Sequence, residues 1–139
     1  VSKGKVFIDT NILVYSLDEQ SFAKQEIARA VLRRLDQEHR AVISTQVLQE
    51  FYCVATKKLG VDAPRAKALV EAFERFEVAV IGPQAIHAAI DISGFYQLSF
   101  WDALIVAAAA QTNCTDLYTE DLNAGQVVQG IVITNPFAK

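Results

Sequence analysis

Asp9 stands directly after the apolar run Val6-Phe7-Ile8 and is followed by two small polar residues, Thr10 and Asn11. Such a run predicts a buried parallel strand, and parallel sheets take their ligands in the crevice beyond the carboxyl ends of the strands. Asp9 is therefore expected at the mouth of a site. A lone strand-end Asp has other uses, because Asp also caps helices and opens turns. Three further acids fall where the same edge is expected. Glu50 sits at the border of a helical apolar stripe, with Val47 and Val54 one turn to either side. Asp102 is the only charged residue between Asp91 and Asp116; it occupies the first turn of an apolar helix, with Ser99 at capping-box spacing before it. Asp121 follows a strand in Tyr118-Thr119-Glu120-Asp121-Leu122, where Glu120 is the alternative for the same role.

Carboxylates held close together repel unless a cation or protons neutralise them. After Arg75 the only basic residue is Lys139, so Asp102 and Asp121 have little internal compensation. Oxygen-only donors suit Mg²⁺ or Mn²⁺, which keep several waters and also bind substrate phosphates. His39 and His87 have no ligand spacing to each other or to a cysteine, which argues against zinc. The chemistry such a site performs best is metal-assisted hydrolysis of a phosphodiester.

The elements that must position these acids alternate along the chain. Strands are expected at Lys5 to Ile8, Ala41 to Ile43, Val78 to Ile81, Asp116 to Tyr118 and Ile131 to Ile133, with helical periodicity between them. This alternation predicts an α/β fold with a mainly parallel, five-stranded sheet. Phe22 to Glu38 reads as an amphipathic helix, and a second stripe runs from Val47 to Leu59 with Gly60 placed to end it. Pro64 and Gly82-Pro83 each open another helix. Ser99 to Thr112 is apolar all round, which predicts a buried helix.

With 139 residues, 52% of them hydrophobic, the chain is expected to form one domain spanning 1–139. No apolar stretch approaches the roughly 20 residues of a membrane span, and Val1 to Lys5 lacks the apolar core of a signal peptide, so a cytoplasmic protein is expected. Cys53 and Cys114 lie in apolar periodic segments and are read as buried free thiols. A net charge of −3 argues against nucleic-acid binding through overall charge. Its distribution is uneven. Twelve of the 13 Lys and Arg but ten of the 16 acids fall in the first 75 residues, which net +2 and leave −5 for the rest.

Phe7-Ile8-Asp9-Thr10-Asn11-Ile12-Leu13, Gln49-Glu50-Phe51, Phe100-Trp101-Asp102-Ala103-Leu104-Ile105 and Tyr118-Thr119-Glu120-Asp121-Leu122 resemble, in order, the acidic motifs of PIN-domain nucleases. Asn135-Pro136-Phe137 is also similar to bacterial members, and size and motif wording look most like VapC-type toxins of toxin–antitoxin pairs. The resemblance implies a three-layer Rossmann-like domain and a Mg²⁺- or Mn²⁺-dependent endoribonuclease. Carried over by motif, Asp9, Glu50, Asp102 and Asp121 are the catalytic metal ligands, directly or through water, with Asn11 and Thr119 supporting them by hydrogen bonds. It further implies an RNA substrate, a homodimer and an antitoxin protein that blocks the acids. Arg29, Arg33, Lys57 and Lys58 become candidates for RNA backbone contact. Tyr15, Tyr52 and Trp101 are candidate lining or stacking groups, although their apolar periodic positions favour the core. A haloacid-dehalogenase-type phosphotransferase or a receiver domain also places an Asp after its first strand. The former expects a second acid where this chain has Asn11, and both need a downstream Lys that residues 76–138 lack. The remaining alternative is a non-catalytic interaction module of PIN-like fold.

Overall fold

A computed structural model describes residues 3–138. In chain order the elements are β1 (Lys5–Ile8), α1 (Thr10–Tyr15), α2 (Phe22–Gln37), β2 (Ala41–Ser44), α3 (Thr45–Lys57), α4 (Ala63–Phe73), β3 (Glu77–Ala79), α5 (Pro83–Tyr96), α6 (Phe100–Gln111), β4 (Cys114–Tyr118), β5 (Val127–Val128) and β6 (Ile131–Thr134). The sheet order is β3-β2-β1-β4-β6-β5. Every pairing is parallel except β5 with β6.

The expected mainly parallel sheet is present, with six strands in place of five. The additional strand, β5, is two residues long and forms a hairpin with β6 through Gln129 (φ 52°) and Gly130 (φ 77°). Two consecutive left-handed residues match the twist of the flanking strands, and glycine adopts that conformation without a side-chain clash. A second element absent from the sequence reading is α1, a six-residue helix that starts immediately behind Asp9.

The chain runs outward from β1 to β2 to β3, then returns across the sheet to β4. Right-handed crossovers therefore put α1–α4 on one face and α5–α6 on the other, giving three layers. The point where the strand order reverses lies between β1 and β4, and in open α/β sheets that crevice is where ligands bind. β1 is covered on both faces, with Val6, Phe7 and Ile8 fully buried, which explains its unbroken apolar run. In α6, Ala103 to Ala109 are all buried, as its lack of a polar face predicts. Small alanine side chains let this helix lie close against β2, β4 and β6. Phe7 and Phe51 are the largest fully buried side chains, each contributing roughly 1.5–3 kcal/mol by leaving water.

Local signals set the helix starts that matter for the site. The Ser44 hydroxyl accepts from the Val47 amide at the start of α3, and the Ser99 hydroxyl accepts from the Asp102 amide at the start of α6. α3 ends at Lys57, two residues before the expected limit, and Gly60 takes up the left-handed turn beyond it at φ 70°. Among the described residues no single helix is long and apolar enough to cross a membrane.

Candidate active site

Asp9 caps α1 at the carboxyl end of β1, and its backbone amide donates to the Tyr118 carbonyl of neighbouring β4 at 3.0 Å. The side chain is buried, at 6% exposure, yet both carboxylate oxygens are held by donors. Oδ1 accepts from the Thr10 amide at 2.7 Å, and Oδ2 accepts from the Thr119 hydroxyl at 2.7 Å. Thr119 is itself fully buried, and its oxygen also accepts from the Asp121 amide at 3.0 Å and from Asn11 Nδ2 at 3.3 Å. Asn11 Nδ2 reaches Asp121 Oδ2 as well, at 3.1 Å. Residues from the two strands at the switch point are thus joined through one hydroxyl.

Glu50 enters the same network from α3. Its Oε1 accepts from the Thr10 hydroxyl at 2.7 Å, and its Oε2 accepts from Gln46 Nε2 at 3.3 Å. Gln46 is buried and also donates to the Trp101 carbonyl at 3.2 Å, tying α3 to the first turn of α6, where Asp102 lies half-buried. Asp102 is thereby linked to the network through its neighbour's backbone; among the described residues its own carboxylate makes no hydrogen bond to Asp9, Glu50 or Asp121. Thr10 and Gln46 were not foreseen as site residues. Gln46 stands four residues before Glu50, the spacing at which helical side chains meet.

Glu120 lines the cavity above this network but is bonded to other partners. It pairs with Lys24 and accepts from the Tyr15 hydroxyl at 2.7 Å, while Lys24 Nζ lies 4.7 Å from the centre of the Tyr15 ring. Burial pushes the Glu120 carboxyl up, but the hydrogen bonds from Lys24 and Tyr15 outweigh it and hold the group below its ordinary value. Of the two neighbouring acids, Asp121 is the one joined to Asp9.

Burial pushes the Asp9 carboxyl up from 3.8 to about 6; the bonds from Thr119 and the Thr10 amide pull it down, and the charges of Asp121 and Glu50 push it further up. Above the network opens a cavity of about 720 Å³ whose lining includes Thr10, Asn11, Tyr15, Glu50, Lys58 and Asp121. Asp9 and Asp102 lie outside that lining.

Among the described residues no three Asp, Glu, His or Cys side chains lie close enough to hold an ion between them. Hydroxyls and amides instead link the acids, Thr10 to Glu50 and Asn11 to Asp121. The donor chemistry nevertheless fits a hard divalent cation: it is all oxygen and carries uncompensated negative charge. Two buried carbonyl oxygens beside the acids, Asn11 Oδ1 and Gln46 Oε1, have no hydrogen-bond partner, and both are of the kind that ligates Mg²⁺ or its waters.

Several expectations are corrected. Cys53 is exposed and lines the cavity, so only Cys114 is a buried thiol. Trp101 is 62% exposed and Tyr52 is exposed as well, contrary to a core placement. Arg29 donates through Nε to the Ser16 carbonyl at 2.8 Å, while Lys58 borders the acidic cavity.

The profile of the PIN domain family matches residues 6–128. A comparison with curated proteins finds no significant match. Solved structures similar to the chain include a toxin–antitoxin complex from Klebsiella pneumoniae, with 21% identity over 96% of this chain and 98% of that one and a TM-score of 0.72. DNA-bound VapBC from Salmonella typhimurium gives 24% identity over 96% and 98%, with a TM-score of 0.70. Mycobacterium tuberculosis VapC20, a sarcin–ricin-loop-cleaving toxin, gives 18% identity over 84% and 92%, with a TM-score of 0.64. At these identities the likeness speaks to the fold, and the profile match, which covers most of the chain and contains Asp9, Glu50, Asp102 and Asp121, assigns the family: the chain belongs to the PIN domain family.

Proposed function

We propose that residues 1–139 form one PIN-like unit acting as a Mg²⁺- or Mn²⁺-dependent endoribonuclease, the toxin of a toxin–antitoxin pair, at work in the cytoplasm as a homodimer. The observation that carries this reading is the hydrogen-bonded network joining Asp9, Glu50 and Asp121 through Thr10, Asn11 and Thr119 at the switch point of the sheet. The toxin–antitoxin assemblies among the similar structures support an antitoxin partner, and the sarcin–ricin-loop-cleaving toxin among them supports RNA as substrate.

Asp9, Glu50, Asp102 and Asp121 would hold the metal, which when bound supplies Lewis acidity for hydrolysis of a phosphodiester. The chain's own residues do the positioning. Thr119 and the Thr10 amide fix Asp9 with both oxygens in acceptor roles, which favours the ionised form needed for ligation. Asn11 orients Asp121, and Gln46 sets Glu50 relative to the turn that carries Asp102. The open cavity admits a single strand, and hydrolysis leaves a phosphate monoester on one fragment and a hydroxyl on the other.

The test is calorimetric titration of the purified chain with Mn²⁺, together with cleavage of labelled RNA by the wild type and by the Asp9→Asn and Asp102→Asn variants. Binding and cleavage by the wild type, with cleavage lost in both folded variants, are expected. Neither binding nor cleavage by the wild type would overturn the proposal and favour the non-catalytic interaction module.

A further inference from the structure

A second cleft, of about 370 Å³, adjoins the acidic cavity and shares Asp18 and Lys58 with it. It lies between the connection from α1 to α2 and the connection from α3 to α4, and its charged lining is Arg29, Lys58 and Arg65 against Asp18 and Glu19. All three cations are exposed, and among the described residues none takes part in an ion pair. Asp18 turns its Oδ1 back to the Gln20 amide at 3.0 Å. Arg29 is anchored by the single Nε bond to the Ser16 carbonyl, so its planar group is held in place while its two terminal nitrogens have no protein partner among the described residues. A fixed guanidinium with its outer edge free is preorganised for two-point binding of a phosphate.

We infer that this cleft binds the backbone of single-stranded RNA next to the phosphodiester held over the acids, with Arg29, Lys58 and Arg65 each contacting a separate phosphate. The inference rests on the ribonuclease reading and adds the path of the strand. RNA reaching the acidic cavity carries a negative charge at every nucleotide, and the acids attract it only through a metal. Charge of the opposite sign is therefore needed beside them, and a chain of net charge −3 must concentrate it locally. Lys58 belongs to both cavities, so a strand leaving the acids along it passes directly to Arg29 and Arg65.

The test is anisotropy titration of a short, unstructured, fluorescein-labelled RNA in Ca²⁺ over a range of salt concentrations. It compares the wild type with the Lys58→Ala, Arg65→Ala double variant, and circular dichroism checks both folds. Each phosphate contact contributes about 0.7 to the slope of log K against log salt for a single strand, so the double variant should lose about 1.4. Over a fourfold rise in salt its affinity then falls about sevenfold less than that of the wild type. An unchanged slope in a variant that still binds and cleaves RNA would remove the cleft from the strand's path and leave the ribonuclease reading standing. A wild type that neither binds nor cleaves RNA would remove both. Loss of affinity for a polyglutamate peptide, with RNA binding intact, would make the cleft a protein-docking surface and overturn the proposal.

Discussion

Replacing Asp9 by Asn should make the metal-free protein more stable while abolishing its activity. Burial raises the Asp9 carboxyl from 3.8 to about 6, so ionising it in the folded chain opposes folding. The sign follows from proton linkage. The folded state binds the proton more tightly than the unfolded one, so this group's favourable contribution is present below pH 3.8 and is lost as pH rises through about 6. The shift corresponds to a penalty of about 3 kcal/mol near pH 7.5, shrinking to about 1 kcal/mol near pH 4.5. Asn removes the charge and keeps an acceptor for the Thr10 amide. It turns a donor toward the Thr119 oxygen, which already accepts from Asp121 and Asn11, so about 1–2 kcal/mol of hydrogen bonding is lost. The net gain near pH 7.5 is about 1–2 kcal/mol, or roughly 3–8 °C in Tm for a chain of this size. Thermal denaturation in EDTA at the two pH values measures it. The gain should vanish near pH 4.5, and added Mn²⁺ should raise the Tm of the wild type alone. A variant less stable than the wild type near pH 7.5, or a difference independent of pH, would refute the assignment of Asp9 as an uncompensated buried charge.

Thr119→Val keeps the side chain's shape but removes the hydroxyl that holds Asp9 down, so the acid limb of the cleavage pH profile should move to higher pH. Urea denaturation should show a loss of about 1–3 kcal/mol as the Asp121 amide and Asn11 lose an acceptor; an unmoved pH profile would count against the hub. Gln46→Leu releases Glu50 and the Trp101 carbonyl but also removes an orphaned oxygen, so stability should change by less than about 1 kcal/mol while the Mn²⁺ concentration for half-maximal activity rises about tenfold. Brief treatment of the native chain with N-ethylmaleimide should label Cys53 alone, because Cys114 is buried and burial pushes its thiol up. Labelled protein should lose RNA cleavage, since Cys53 lines the cavity; peptide mass mapping and a cleavage assay check both points.

Asp9 was legible because an apolar run ending in an acid has a strand-end meaning that does not depend on tertiary context. Asp121 was legible from its place just beyond a strand, but its separation from Glu120 required the side chains of Tyr15 and Lys24, which capture Glu120 from other elements. The five principal strands were readable from apolar runs. β5 was not, since two valines among polar neighbours carry no periodicity. Nor was α1, whose six residues span less than two turns. The strand order, and with it the switch point, is a property of pairing between distant segments. Trp101 shows the limit of periodicity at a helix end: α6 is buried from Ala103 to Ala109, whereas its first turn leaves the indole in solvent. The Gln46–Glu50 contact follows from their spacing of four on α3, but the bond from Gln46 to the Trp101 carbonyl crosses to α6, a relation no spacing in one segment encodes.

The bond from Thr119 to Asp9 joins residues 110 positions apart, across strands that pair directly. A ribosome makes Asp9 early and its partner late, at about 5–20 residues per second, so roughly 6–20 seconds separate the two. Through that interval β1 has no β4 to lie against, and Asp9 lacks both the hydroxyl that fixes it and the acid that completes its surroundings. The surroundings of Asp9 are therefore incomplete until Thr119 and Asp121 have been made. Connectivity alone thus supplies a delay between the synthesis of β1 and the completion of the site at its carboxyl end.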